Sequence, residues 1–213
     1  MVTPTAEIYG ALEQAFRHFN TDLFGGQLPA ALITLQRKGA RTLGYFSPKR
    51  FKGRESERTT DEIAMNPQHF LRPLPETLST LVHEMCHLWQ DHFDRTSRSG
   101  YHNKSWAVKM VEIGLQPTVS GEPGGKQTGQ KMMHFVIGGG KFEKSCRRLL
   151  ESRFDLVWAE ALNEAADPEG NAPEEDEDKG RVRWICPRCK QKAWAKPTAT
   201  IGCWSCRNAF VRG

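Results

Sequence analysis

Residues 81–87 read Leu81-Val82-His83-Glu84-Met85-Cys86-His87, and this stretch decides how the rest of the chain is understood. In an α-helix, residues four apart stand one above the other on the same face, so His83 and His87 aim imidazole nitrogens at one point. Glu84 lies about 100° further round the axis, beside that point rather than on it. A carboxylate there can take a proton from a zinc-activated water and pass it to a leaving amine. The helix itself is legible. Pro73 and Pro75 punctuate its start, and Leu78, Leu81, Val82, Met85, Leu88 and Trp89 form an apolar stripe over residues 76–93.

Working outward, residues 7–24 place Ile8, Leu12, Phe16 and Phe19 at helical spacing, ended by Gly25-Gly26. Residues 31–35 and 42–46 are expected strands, and 62–66 a third, stopped by Pro67. The charged stretch 51–60 lacks periodicity and is expected to be a loop. Beyond the motif helix, Asn103 or Ser105 can cap another helix that stops at Gly114. Residues 117–131, rich in Gly, Thr and Gln, form an expected loop, long enough to be functional. Residues 134–137 suggest a late strand, and 142–162 a closing helix.

A catalytic zinc needs a third protein ligand and an open fourth position. Asp91 continues the His83/His87 stripe, but one straight helix rarely wraps three ligands round a metal. His92 is off that face and suits a solvated or capping role. His102 follows a Ser-Arg-Ser-Gly turn at 97–100, where the chain can double back over the metal, or it is simply a helix-start histidine.

The motif helix, the Gly100-Tyr101-His102 that follows it, Leu43-Gly44-Tyr45-Phe46 and Glu62-Ile63-Ala64-Met65-Asn66 together resemble the SprT-like metallopeptidase family over residues 7–115. The resemblance implies His83, His87 and His102 as ligands of a catalytic Zn²⁺ and Glu84 as the general base. It also implies an α+β, zincin-like domain with helices packed on a small sheet, spanning residues 1–166. The family's members include proteases of DNA–protein crosslinks, and many carry a C-terminal zinc ribbon. Residues 116–162 contribute nothing distinctive to the likeness.

The tail supports a ribbon independently. Cys186-Pro187-Arg188-Cys189 and Cys203-Trp204-Ser205-Cys206 are two Cys-x-x-Cys corners, enough for a tetrahedral structural site of zinc, or of iron, which thiolates also accept. Residues 181–213 cannot bury enough core to fold alone, so the metal must supply folding free energy. Charge separates the regions. Residues 1–166 carry 21 basic and 18 acidic side chains; 167–180 carry one and seven; 181–213 carry eight and none. The acidic stretch is expected to be a flexible linker. The basic tail, with Trp184, Trp194, Trp204 and Phe210, suits single-stranded DNA through stacking and phosphate contacts. The competing expectation is that at least two of the three tryptophans form a mini-core.

Composition excludes other classes. Hydrophobic content of 38% and charged content of 26% fit neither a disordered nor a membrane protein. The opening residues show no basic-then-apolar leader, so a cytoplasmic monomer with reduced thiols is expected. Cys86 and Cys146 are then small buried residues. Tyr45 and Tyr101 either donate to a developing oxyanion or pack, and the strand at 42–46 is a possible edge for an extended substrate. The sequence therefore points to a zinc endopeptidase acting on DNA-associated proteins, with a non-proteolytic nucleic-acid-binding protein of transcription as its rival.

Overall fold

The computed structural model describes residues 2–37, 39, 41–94, 100–160 and 182–212. The stretch 167–180 read as a linker, and residues 97–99 of the expected turn, lie outside the described residues. The chain divides into two units, Met1–Glu164 and Ala165–Gly213. Among the described residues no helix is long and apolar enough to cross a membrane.

The first unit is a mixed α+β fold. Helix α1, Pro4–Phe24, begins earlier than its apolar spacing signals, because Thr3 caps it by accepting from the Ala6 amide and Pro4 suits the first turn. Its Ile8, Leu12, Phe16 and Phe19 are buried. Strands β1 (Leu32–Leu35), β2 (Gly44–Lys52) and β3 (Thr59–Met65) form one sheet in the order β1-β3-β2. β1 runs parallel to β3, with Ile33 opposite Ile63, and β2 runs antiparallel to it, with Phe46 opposite Ile63. β3 is thus central and buried over 61–65, while β2 is an edge.

The stretch 51–60 is not the expected loop. β2 runs on to Lys52 and turns through 53–58 into β3. A bulge hides this from the sequence: the register shifts between Ser47 and Phe51, with Lys49 left-handed at φ 48. Asp61 braces the bulge, one oxygen accepting the Lys49 N–H at 2.7 Å and the other bonding His92 Nε2 at 2.6 Å. His92, exposed as expected, also ties the end of the next helix to β3 through Asp61.

That helix, α2 (Leu74–Phe93), is more deeply enclosed than an amphipathic stripe requires. Every residue from Thr77 to Cys86 is buried, polar and apolar alike. The apolar face meets the core of Ile63, Met65, Met110 and Ile113, and β2 closes over part of the polar face. Gly44 makes that closure possible: a Cβ there would stand 2.9 Å from the Ala64 carbonyl, 3.3 Å from Thr80 Cγ2 and 3.4 Å from Glu84 Cγ.

Helix α3, Lys104–Ile113, is capped by Asn103, whose side chain accepts from the Trp106 amide at 3.0 Å. Gly114, at φ 97, ends it and lies so close to the next helix that a Cβ would meet the Phe142 amide nitrogen at 2.8 Å. Strand β4, Leu115–Thr118, was not expected, since Pro117 sits inside it. It pairs antiparallel with β5, Met133–Val136. Helix α4 covers only Lys141–Glu151, not 142–162. Arg153 takes a left-handed φ of 62, and Phe154 and Leu156 are buried from irregular chain beyond it. Apolar spacing there reflects burial without helix. α4 packs on α1 through stacked Phe19 and Phe142 and a Ser145–Asp22 hydrogen bond of 2.8 Å.

In the second unit, β6 (Val182–Ile185), β7 (Lys192–Ala195) and β10 (Val211–Arg212) form a sheet ordered β10-β6-β7. β8 (Gly202–Cys203) and β9 (Asn208–Ala209) pair beside it in sequence. Its buried cluster is Cys186, Cys203 and Phe210, flanked by Trp184, Ala193 and Ile201.

Candidate metal centres and active site

α2 presents His83 and His87 one turn apart, and the start of α3 returns His102 to them. One ring nitrogen from each lies within 4.8 Å of the others. His87 Nε2 and His102 Nε2 are 3.1 Å apart. Asp91, the other continuation of the stripe, groups instead with Asp61 and His92. Burial holds His83 well below the usual imidazole range, helped by the neighbouring histidines, and holds His87 down at about 3 and His102 below its ordinary value. All three are therefore neutral, with lone pairs available to a metal. Three neutral imidazoles suit Zn²⁺ or a similar transition ion rather than Ca²⁺ or Mg²⁺, which prefer oxygen.

Two supports that the sequence did not reveal fix this geometry. Trp106, fully buried, sets its indole 4.9, 5.2 and 4.4 Å from the His83, His87 and His102 rings, a common floor beneath them. The long loop after β4 returns to pair Gly129 with His102 in a two-bond bridge, N–H to carbonyl at 2.9 and 3.1 Å. The Gly129 carbonyl also lies 3.1 Å from His102 Nδ1. A carbonyl only accepts, so Nδ1 carries the proton and Nε2 is left for a metal. Gln90 steadies the same corner, donating to Asn103 Oδ1 at 2.6 Å and Ser105 Oγ at 3.1 Å. Spacing within 117–131 carried no signal of this, because the contact is made through main chain.

Glu84 is buried beside the histidines. Burial pushes its carboxyl up to about 8, and a hydrogen bond from the Phe46 main chain on β2 partly offsets the rise. Tyr45 alternates to the far face of β2 and bonds Glu62, away from the histidines. Tyr101 is half-buried next to His102. Cys86 and Cys146 are buried, their thiols pushed up by desolvation.

The model of the SprT-like family matches residues 12–123, just over half of the 213. The chain belongs to the SprT-like family. Its first unit is accordingly a metallopeptidase-like domain. An uncharacterized protein in the mucB 3' region of Salmonella typhimurium is 57% identical to this SprT-like chain over 60 residues, 28% of the chain and 80% of that protein. No solved structure matches it.

In the second unit Cys186, Cys189, Cys203 and Cys206 offer sulfurs all within 4.8 Å of one another, a set compatible with zinc. The two corners repeat one device. Lys190 and Arg207, each just after its second cysteine, are left-handed at φ 62 and 53, and their amides bond the Cys186 and Cys203 carbonyls at 2.9 and 2.8 Å. Main-chain bonding around Cys189 and Arg188 draws the Cys186 thiol down to about 7. The tryptophans depart from the mini-core expectation. Only Trp184 packs in, with Arg212 5.9 Å above its ring; Trp194 is 60% exposed and Trp204 96%.

Proposed function

We propose that this SprT-like chain is a zinc-dependent endopeptidase directed to proteins associated with DNA. The reading rests on one observation: three neutral histidines converge beside a buried glutamate that is held by an edge strand. His83, His87 and His102 would hold the Zn²⁺, which when bound would lower the pKa of a water and polarise a carbonyl. Glu84 is the general base; one carboxylate oxygen takes a proton from the attacking water and delivers it to the leaving amine. Burial makes it a stronger base than an exposed carboxylate, and a bound dication would draw its value down from about 8. The Phe46 main chain keeps the carboxylate aimed. The outer edge of β2, an edge strand among the described residues, offers main-chain groups to an extended polypeptide, which favours contact with backbone over particular side chains.

The second unit supplies the address. Eight basic and no acidic residues over 181–213, with Trp194 and Trp204 exposed, suit stacking on single-stranded DNA with phosphate contacts, and Cys186, Cys189, Cys203 and Cys206 hold the structural zinc that supports it. Protein substrates are then those attached to DNA.

The test is cleavage of a DNA-bound protein with and without single-stranded DNA. Glu84→Gln is expected to retain zinc and lose activity by about 10²–10⁴-fold. Undiminished cleavage by that variant sinks the mechanism, and no cleavage by the wild type with full zinc favours a non-proteolytic nucleic-acid-binding protein.

A further inference from the structure

His134 belongs to none of the ligand sets and was read from sequence only as the start of a strand. β5 places it opposite Pro117, with its imidazole against the back of the histidine site. His134 Nδ1 lies 3.1 Å from His83 Nδ1, and His134 Nε2 lies 2.8 Å from Ser79 Oγ. Ser79, buried one turn before His83 on α2, donates its hydroxyl hydrogen to the Glu76 carbonyl at 2.8 Å.

The directions of these bonds follow from the end of the chain. A main-chain carbonyl only accepts, so the Ser79 hydrogen is committed to Glu76 and its oxygen must accept from His134. A neutral His134 then carries its proton on Nε2 and presents a lone pair at Nδ1. That lone pair accepts from His83, which carries its proton on Nδ1 and keeps Nε2 free. The opposite arrangement would place a proton on His83 Nε2 and close that atom to a metal.

We infer that His134, with Ser79, is a positioning residue that fixes the metal-binding tautomer of His83 through a relay ending at the Glu76 carbonyl. The inference rests on the zinc reading proposed above. His102 obtains the same result in one step from the Gly129 carbonyl; His83, in mid-helix, reaches a carbonyl through two side chains. Such supports behind a ligand typically govern metal affinity by about 10–100-fold.

The experiment is a Co²⁺ titration of the full chain, in which imidazole and thiolate sites absorb differently, compared across variants. His134→Leu is expected to weaken the histidine site by about 10–100-fold and leave the thiolate site unchanged. His134→Asn, whose side-chain oxygen can stand near the lost Nδ1, is expected to restore affinity to within a few-fold. Equal weakening by Asn and Leu, or none by Leu, overturns the relay. Should the variants misfold, ¹⁵N spectra of the zinc-loaded wild type decide: protons on His83 Nδ1 and His134 Nε2 support the relay, and a proton on His134 Nδ1 overturns it. A wild type that binds no metal at the histidines refutes the zinc reading itself, an outcome distinct from failure of the relay alone.

Discussion

The two candidate metal centres are held by opposite means. The histidines are mounted on a helix enclosed by a cluster that includes 28 buried apolar residues among those described, from Ile8 to Leu156. The cysteines have no such scaffold. Of the three buried residues in their cluster, two are cysteines, and Phe210 is the third. In the first unit apolar burial suffices to hold the ligands in place. In the second a metal on the four cysteines would stand where a core would be, since so short a chain has little else to bury.

The largest expected effect breaks the units apart. Cys203→Ser, or a strong chelator, is predicted to abolish folding of the second unit, read as collapse of amide dispersion for residues 182–212. The same treatment should leave the amides of α1, α2 and β3 dispersed. Loss of dispersion in both units would mean that the histidine site is as structural as the cysteine one. Persistence in both would mean that the ribbon folds without metal.

A smaller effect probes what the preformed site costs the first unit when metal is absent. His87 and His134 are held at about 3 and 4 in the folded state by burial, against an ordinary 6.5. Below about pH 6.5 the unfolded chain takes up protons that the folded one refuses, so stability falls as pH drops toward 4. Glu84 acts in the reverse sense. Its folded value of about 8, against 4.5, means that between those limits the unfolded chain sheds a proton the folded one keeps, so stability falls as pH rises. Below about pH 6.5 the two histidines outweigh the one carboxyl, so metal-free protein should melt highest near pH 6.5, with a loss of order a few kcal/mol toward pH 4 and about 1 kcal/mol above pH 8. Glu84→Gln should flatten the alkaline limb and, by removing the opposing carboxyl, steepen the fall below pH 6.5. An alkaline limb that survives this substitution would show that Glu84 is not the group responsible.

What could be read from sequence divides along the same line. His83, Glu84 and His87 are legible because helical spacing is a local rule, and the cysteine corners because a tetrahedral thiolate site imposes its own. Individual helices and strands followed from their clean periods, while the α+β, zincin-like class came from the resemblance to SprT-like proteins. His134, Trp106 and Gly129 were not legible as parts of the site. Each reaches it across the fold, from a strand, a helix core and a loop, and no spacing to His83 marks them. β2 was cut short for a related reason: the bulge at Lys49 interrupts the alternation by which a strand is recognised. β4 was lost because Pro117 reads as a breaker, although it occupies a paired position opposite His134.

The smallest effect separates the tryptophans of the second unit from one another. Trp184 packs against the cysteine cluster and donates to the Ala195 carbonyl at 3.4 Å, so its replacement by Ala should loosen the ribbon whether or not DNA is present. Trp194 and Trp204 have most of their surface in solvent, and burial gives them little part in stability. Exposed indoles among basic side chains lower free energy only when something stacks on them. Trp194→Ala and Trp204→Ala should leave the ribbon's metal binding unchanged and each weaken single-stranded DNA binding by about 1–3 kcal/mol, with the salt dependence retained because the phosphate contacts remain. Equal affinity of these variants and the wild type would assign the exposed pair to a different partner and leave the basic charge alone to account for any DNA binding.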